Sequence, residues 1–144
     1  MTMRIGGFLR QSLIDWEVMI AAVIFTKGCN FRCGYCHNPS LVLPDLFEET
    51  DDIEIEEIMS YLSSRKQWID GVVISGGEPT INPDLPDILK SIRKNGHLIK
   101  LDTNGNCPVM LSDLISERLV DFVAMDIKTR LLFSEYNQIT NCHD

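Results

Sequence analysis

Two features are scarce in this sequence of 144 residues, and each scarcity excludes a class of protein. Basic residues are outnumbered, with 13 Lys and Arg against 21 Asp and Glu, so the formal net charge at pH 7 is −8. Because Lys and Arg hold phosphates, this balance argues against extended binding to nucleic acid or to an anionic membrane. Long apolar runs are also missing: the longest, residues 18–25, is far shorter than the roughly 20 residues of a membrane span. With no signal-peptide pattern at its start, we expect a cytoplasmic protein without nucleic-acid or membrane partners.

The alternation of apolar patterns predicts a single α/β domain covering residues 1–144. Apolar, β-branched runs are typical of strands buried in a parallel sheet, and apolar residues spaced by three and four indicate amphipathic helices between them. The predicted strands cover residues 18–25, 71–75, 97–101 and about 121–125. The predicted helices begin at Asp51, where Glu54 would complete a capping box, at Asn82–Pro83, and at Pro108, with Leu111, Leu114, Ile115 and Leu119 facing inward. Connections too long for hairpins favour successive βαβ units.

Polar segments follow each predicted strand. A cysteine-rich loop follows the first strand, Gly76-Gly77-Glu78-Pro79 the second and Asp102-Thr103-Asn104-Gly105 the third, while Asp126 and Lys128 follow the fourth. Because ligands gather at the carboxyl ends of parallel strands, these segments predict one site. Glu78 could hold an ammonium group, and Asp102 and Asp126 a ribose hydroxyl or a cation, although plain loop and strand-end roles remain open for all three.

Cysteine use predicts a metal centre. The chain has five cysteines, an odd number, and Cys29, Cys33 and Cys36 lie within eight residues in a C-x3-C-x2-C pattern, which is not a disulfide framework. Clustered thiolates prefer soft ions or iron–sulfur clusters. A structural zinc site would need a fourth ligand, whereas a cubane held by three cysteines leaves one iron free for an exogenous ligand.

The cysteine segment also carries a family resemblance. Residues 28–39, GCNFRCGYCHNP, together with the Gly-Gly-Glu-Pro segment, resemble the radical S-adenosylmethionine (SAM) superfamily. The wider pattern resembles glycyl-radical activating enzymes, notably the activating protein of anaerobic ribonucleoside-triphosphate reductase. Supporting segments are residues 5–8, 15–16, 101–105 and 125–128.

The resemblance implies a partial parallel (βα) barrel and a set of ligand contacts. It implies a [4Fe–4S] cluster on Cys29, Cys33 and Cys36, with the fourth iron bound by the amino and carboxylate groups of SAM. It places Tyr35 and Asn38 on the adenine side and the methionine ammonium at Gly76, Gly77 and Glu78. Asp102, Thr103, Asp126 and Lys128 would line the ribose, the methionine or a nearby cation.

The same resemblance implies a radical reaction on a partner protein. An electron from a flavodoxin- or ferredoxin-type donor would cleave SAM, and the 5′-deoxyadenosyl radical would take a Cα hydrogen from a glycine of anaerobic ribonucleotide reductase. Alternatives are another glycyl-radical protein, a small-molecule substrate, a structural zinc or cluster domain without turnover, or an inactive cluster-binding fragment.

The sequence departs from the family pattern in three respects. Val18 and Asn141 stand where such proteins tend to have glycine. Only about four of the six βα units of the usual barrel are expected, so we expect a compact or C-terminally truncated version of the domain.

Overall fold

Five strands form one mixed sheet in the computed structural model, which describes residues 3–142. The strands follow chain order in space: β1 (Ile5–Ser12), β2 (Ala21–Thr26), β3 (Gly71–Gly76), β4 (Leu98–Thr103) and β5 (Phe122–Met125). Strands β2 to β5 are mutually parallel, and β1 pairs antiparallel with β2. The carboxyl ends of four parallel strands therefore meet at one edge of the sheet.

Helices follow each of the parallel strands, and three of them cover one face of the sheet. They are α1 (Pro39–Val42), α2 (Ile55–Ser64), α3 (Leu85–Lys94), α4 (Pro108–Ser116) and α5 (Phe133–Thr140), with 3-10 helices at Pro44–Glu49 and Pro79–Ile81. Buried residues of α2, α3 and α4 pack on Val72 and Ile74 of β3 in the main core. Val73 faces a smaller cluster on the opposite side of the sheet. The prediction of an α/β partial barrel with four βα units is confirmed.

Several predicted boundaries are wrong. Val18 does not belong to the first buried strand, which begins at Ala21; it is 94% exposed in the preceding turn. The expected capping box fails, because α2 begins at Ile55 and its N-cap residue Glu54 makes no side-chain capping bond. Asn82–Pro83 likewise precedes the N-cap of α3, which is Asp84. Ile115, expected inward, is 54% exposed on α4.

Two elements, β1 and α5, had no clear signal in the sequence. Strand β1 buries only its two ends and contains a glycine pair, so it lacks the run of apolar residues that marks the parallel strands. Helix α5 buries only Thr140 and has no apolar stripe. Among the described residues, no helix has the length and apolarity needed to cross a bilayer.

Candidate active site

The structure brings most of the predicted residues together in one cavity at the carboxyl ends of the parallel strands. Its lining contains the predicted residues Cys29, Cys33, Cys36, Gly76, Gly77, Glu78, Asp102, Thr103, Asp126 and Lys128. It also contains Phe31, Val42, Ser75 and Asn104, which were not predicted as site residues. Loops from all four parallel strands therefore contribute to a single site.

Backbone hydrogen bonds hold the start of the cysteine loop against two neighbouring segments. The Gly28 N–H donates to the Leu41 carbonyl at 2.7 Å, and the Glu78 N–H donates to the Gly28 carbonyl at 2.8 Å. Within the loop, the Phe31 N–H donates to Cys29 Sγ at 3.3 Å. The first cysteine is thus fixed relative to both α1 and the loop after β3.

Gly77 allows this close approach. A Cβ atom on Gly77 would overlap the carbonyl group of Gly28, which is backbone and cannot swing aside. The glycine pair after β3 therefore has a steric function: it lets the second loop lie directly on the cysteine loop.

Glu78 is the most buried acidic group of the site, at 1% exposure. Its Oε1 accepts from the Thr80 N–H at 3.0 Å, from the Thr80 hydroxyl, and from the Thr103 hydroxyl at 2.7 Å. Its Oε2 accepts from the Asn104 N–H at 2.7 Å. Oε1 thus accepts three hydrogen bonds from the described residues, whereas Oε2 accepts one and retains acceptor capacity toward a ligand.

Charged groups from β4 and from the segment after β5 complete the polar wall. Asp102 lies 3.1 Å from the ammonium nitrogen of Lys100, two residues earlier on the same face of β4. Lys128 pairs with Asp126. Burial of Lys128 acts to lower its pKa, but the hydrogen bond and charge of Asp126, with smaller contributions from Cys33 and Tyr35, outweigh it, so the pKa lies above its ordinary value. Lys128 therefore stays cationic at the site.

The arrangement of the three thiols of the cysteine loop favours a cluster, whereas burial of two of them favours the protonated thiol. Burial raises the pKa of Cys29 and of Cys33, while the Phe31 N–H opposes the rise at Cys29 and Lys128 opposes it at Cys33. Between residues 3 and 142, no three His, Cys, Asp or Glu side chains surround the position of a single metal ion. A cubane instead takes its ligands at separate corners, so three thiols lining one cavity fit it better than a mononuclear zinc ion.

Comparison with known proteins identifies the family. The model of the Radical SAM superfamily matches residues 23–136, which include the cysteine loop and the ends of β3, β4 and β5. The chain belongs to the radical SAM superfamily. Members of this superfamily use a [4Fe–4S] cluster and SAM, so the cofactors implied by the resemblance are confirmed.

Two curated relatives indicate the closer kinship of this radical SAM protein. It is 36% identical over 141 residues to a glycyl-radical enzyme activating enzyme of Methanocaldococcus jannaschii, a match covering 97% of this chain and 55% of that protein. It is 33% identical over 90 residues to a pyruvate formate-lyase-activating enzyme of Staphylococcus aureus, covering 59% and 35% of the two chains. The chain thus spans about half the length of the first relative and about a third of the second.

A solved structure supports the fold assignment. QueE from Escherichia coli superposes with a TM-score of 0.57, covering 72% of this radical SAM chain and 52% of QueE at 24% identity. At that identity the likeness concerns the fold alone.

Tyr35 and Asn38, expected on the adenine side, do not line the cavity. The Tyr35 hydroxyl donates to the Lys128 carbonyl at 2.8 Å and so links the cysteine loop to the segment after β5. Asn38 is exposed and is the N-cap residue of α1 without a side-chain capping bond. Both therefore lie beside the cavity.

Sequence reasoning missed a buried lysine directly before the cysteine loop. The ammonium group of Lys27 donates to the carbonyl oxygens of Phe47 at 2.8 Å and Thr50 at 2.6 Å, and it pairs with Asp52 at 2.7 Å. Asp52 also accepts from Arg4, and these two cations hold its pKa below the ordinary value. Lys27 thus links the start of the cysteine loop to the segment before α2. A single lysine in the sequence gives no indication that it will be buried.

Proposed function

We propose that this radical SAM protein acts as a glycyl-radical activating enzyme. In this proposal Cys29, Cys33 and Cys36 hold the [4Fe–4S] cluster, and the product is a glycyl radical on anaerobic ribonucleoside-triphosphate reductase. The observation that carries the proposal is the cavity itself, in which the C-x3-C-x2-C thiols face the loops after β3, β4 and β5. The name of the M. jannaschii relative supports the reaction class.

The residues of the cavity have separate roles in this proposal. Cys29, Cys33 and Cys36 would hold the cluster, which would supply one electron for cleavage of the C5′–S bond of SAM; methionine would leave, and the hydrogen from the glycine Cα would end on 5′-deoxyadenosine. Glu78, with its remaining acceptor capacity on Oε2, receives the methionine ammonium beside Gly76 and Gly77. Lys128 offers a positive charge to a carboxylate, while Asp102, Thr103 and Asp126 bind hydroxyl groups or a cation. Tyr35 and Asn38, which lie beside the cavity, are assigned to the adenine side by the family resemblance.

The partners are part of the proposal. A flavodoxin- or ferredoxin-type protein would donate the electron. The S. aureus relative favours a second candidate for the acceptor, a pyruvate formate-lyase-type glycyl-radical protein. Both acceptors present a backbone glycine, so the chemistry at the cavity would be the same.

Cleavage of SAM tests the assignment of the cluster ligands. After anaerobic reconstitution with iron and sulfide, the protein is mixed with dithionite and SAM, and 5′-deoxyadenosine is measured. We expect product from the wild type and none from Cys33→Ala, because one of three ligands is lost. Cys107→Ala is the matched control, since Cys107 lies outside the triplet, and it should retain product. Full product from Cys33→Ala, or none from the wild type, would overturn the proposal.

The acceptor is tested separately by electron paramagnetic resonance. Reconstituted protein is incubated with SAM, a reductant and either anaerobic ribonucleotide reductase or pyruvate formate-lyase. A glycyl-radical signal on the reductase supports the proposed target, and a signal on the lyase alone supports the second candidate. Formation of 5′-deoxyadenosine without a radical on either protein would contradict both targets.

A further inference from the structure

We propose that Asn104 is a positioning residue that orients Cys29 and raises the reduction potential of the cluster this thiol holds. This inference rests on the proposed function, because it requires Cys29 to be a cluster ligand. It concerns a residue of the cavity wall that has no role in binding SAM in the proposal above.

Three hydrogen bonds determine which way the Asn104 amide points. Its Oδ1 accepts from the Asn106 N–H at 2.9 Å, which fixes the oxygen on that side. Its Nδ2 therefore points the other way, where it donates to Asn30 Oδ1 at 2.8 Å. The remaining N–H of the same Nδ2 is available to Cys29 Sγ, which lies 4.0 Å away, at the outer limit of a hydrogen bond to sulfur.

The backbone of Asn104 anchors this amide to the most buried carboxylate of the site. The Asn104 N–H donates to Glu78 Oε2 at 2.7 Å, while the preceding residue, Thr103, donates its hydroxyl to Oε1. The Asn104 side chain then reaches Asn30, the neighbour of Cys29 in the chain. One continuous set of hydrogen bonds thus runs from the loop after β3, through the loop after β4, to the first cysteine.

The sulfur of Cys29 accordingly has two donors from different loops. The Phe31 N–H lies at 3.3 Å within the cysteine loop, and the Asn104 amide approaches from the loop after β4. Hydrogen bonds to the sulfurs of an iron–sulfur cluster stabilise its reduced, more negative state and so raise its potential. Removing the Asn104 donor should therefore make the cluster harder to reduce.

The test is a redox titration of the reconstituted protein without SAM. The electron paramagnetic resonance signal of the reduced cluster is measured at each potential and gives the fraction of cluster that is reduced. Asn104→Leu removes the donor at similar volume and without adding charge. Asn106→Leu is the matched control, because it lies in the same loop and its amide contacts Cys142 Sγ at 3.7 Å instead of Cys29. We expect a more negative midpoint potential for Asn104→Leu than for the wild type, and an unchanged potential for Asn106→Leu.

A second pair of variants keeps the test decisive if Asn104→Leu does not fold. Asn104→Ala removes the donor without adding charge or bulk, while Asn106→Ala makes the same truncation elsewhere in the loop. A larger negative shift for Asn104→Ala than for Asn106→Ala supports the proposal. If the Asn104 variant and the Asn106 variant of each pair have the same potential at equal iron content, the role of Asn104 is overturned, while the proposed function stands. A wild type that takes up no cluster would instead overturn the proposed function, and this inference with it.

Discussion

At the scale of single residues, the site depends on close contact between loops more than on any one charged group. The Glu78 carboxylate accepts hydrogen bonds from Thr80, Thr103 and Asn104. The Glu78 N–H donates to the Gly28 carbonyl and so holds the cysteine loop in place. A buried carboxylate without such donors would be costly, so this internal use explains how the acid persists at the base of the cavity. The same contacts make Gly77, which lies between Glu78 and the cysteine loop, intolerant of a side chain.

Gly77→Ala tests this steric requirement. The added methyl would overlap the Gly28 carbonyl and displace the bond from the Glu78 N–H. We expect the free energy of unfolding to fall by about 3 kcal/mol. Gly34→Ala is the matched control, since a Cβ at Gly34 meets nothing within 4 Å, and it should change stability by no more than about 0.5 kcal/mol. Urea denaturation measures both, and equal stabilities for the two variants would contradict the close contact.

Chemical type determined which site residues could be predicted from the sequence. The cysteine triplet, Glu78 and the strand-end acids are identifiable because their chemistry is distinctive and the predicted sheet gathers them at one edge. Asn104 and Lys27 could not be identified in this way, because their partners are distant in the chain. Asn104 bonds to Asn30, and Lys27 bonds to residues between Phe47 and Asp52. Phe31 and Val42 line the cavity with no polar group that would mark them.

At the scale of elements, two positions that depart from the family pattern share one backbone conformation. Val18 in the turn before β2 has a φ of 59°, and Asn141 at the end of α5 has a φ of 47°. Both angles lie in the left-handed region that favours glycine. Asparagine adopts this region readily, whereas a β-branched valine does so at an energetic cost. The turn before β2 is therefore the less favourable of the two.

Val18→Gly should stabilise the protein. The side chain is 94% exposed, so its loss removes almost no buried surface, while the backbone strain is relieved. After allowance for the greater freedom of glycine in the unfolded chain, we expect the free energy of unfolding to rise by about 1 kcal/mol. Val109→Gly, at 73% exposure in α4, should instead lower it by about 0.5 kcal/mol. Thermal unfolding of the two variants checks the opposite signs, and a loss of stability in both would rule out strain at Val18.

The elements themselves were predictable in proportion to their burial. Strands β2 and β3 are buried along most of their length, so their apolar runs are visible in the sequence. Helices α2 and α3 have a clear apolar face for the same reason. Strand β1 and helix α5 form through contacts with the rest of the protein, such as the pairing of β1 with β2 and the bond from the Arg32 N–H to the Thr140 carbonyl. Local sequence patterns cannot contain that information.

At the scale of the whole molecule, we ask which groups make the free energy of unfolding depend on pH. The net charge of −8 is carried largely at the surface, where titration changes stability little. Asp52 is also exposed, and the lowered pKa that Arg4 and Lys27 give this carboxyl confines its effect to acidity below the ordinary carboxyl value of 3.8. Among the described residues, the histidine with a shifted pKa is His97.

His97 is 2% exposed, and neither ring nitrogen has a hydrogen-bond partner in the described part of the chain. Burial, aided by the charge of Lys66, lowers the pKa of His97 below its ordinary value of 6.5. Below that value the unfolded chain binds a proton that the folded chain resists, so the free energy of unfolding must fall as the pH drops through 6.5.

His97→Leu should abolish this decline, while His37→Asn, which alters an exposed histidine, should retain it. Urea denaturation at a series of pH values measures the slopes, and an undiminished decline in His97→Leu would show that another group causes it.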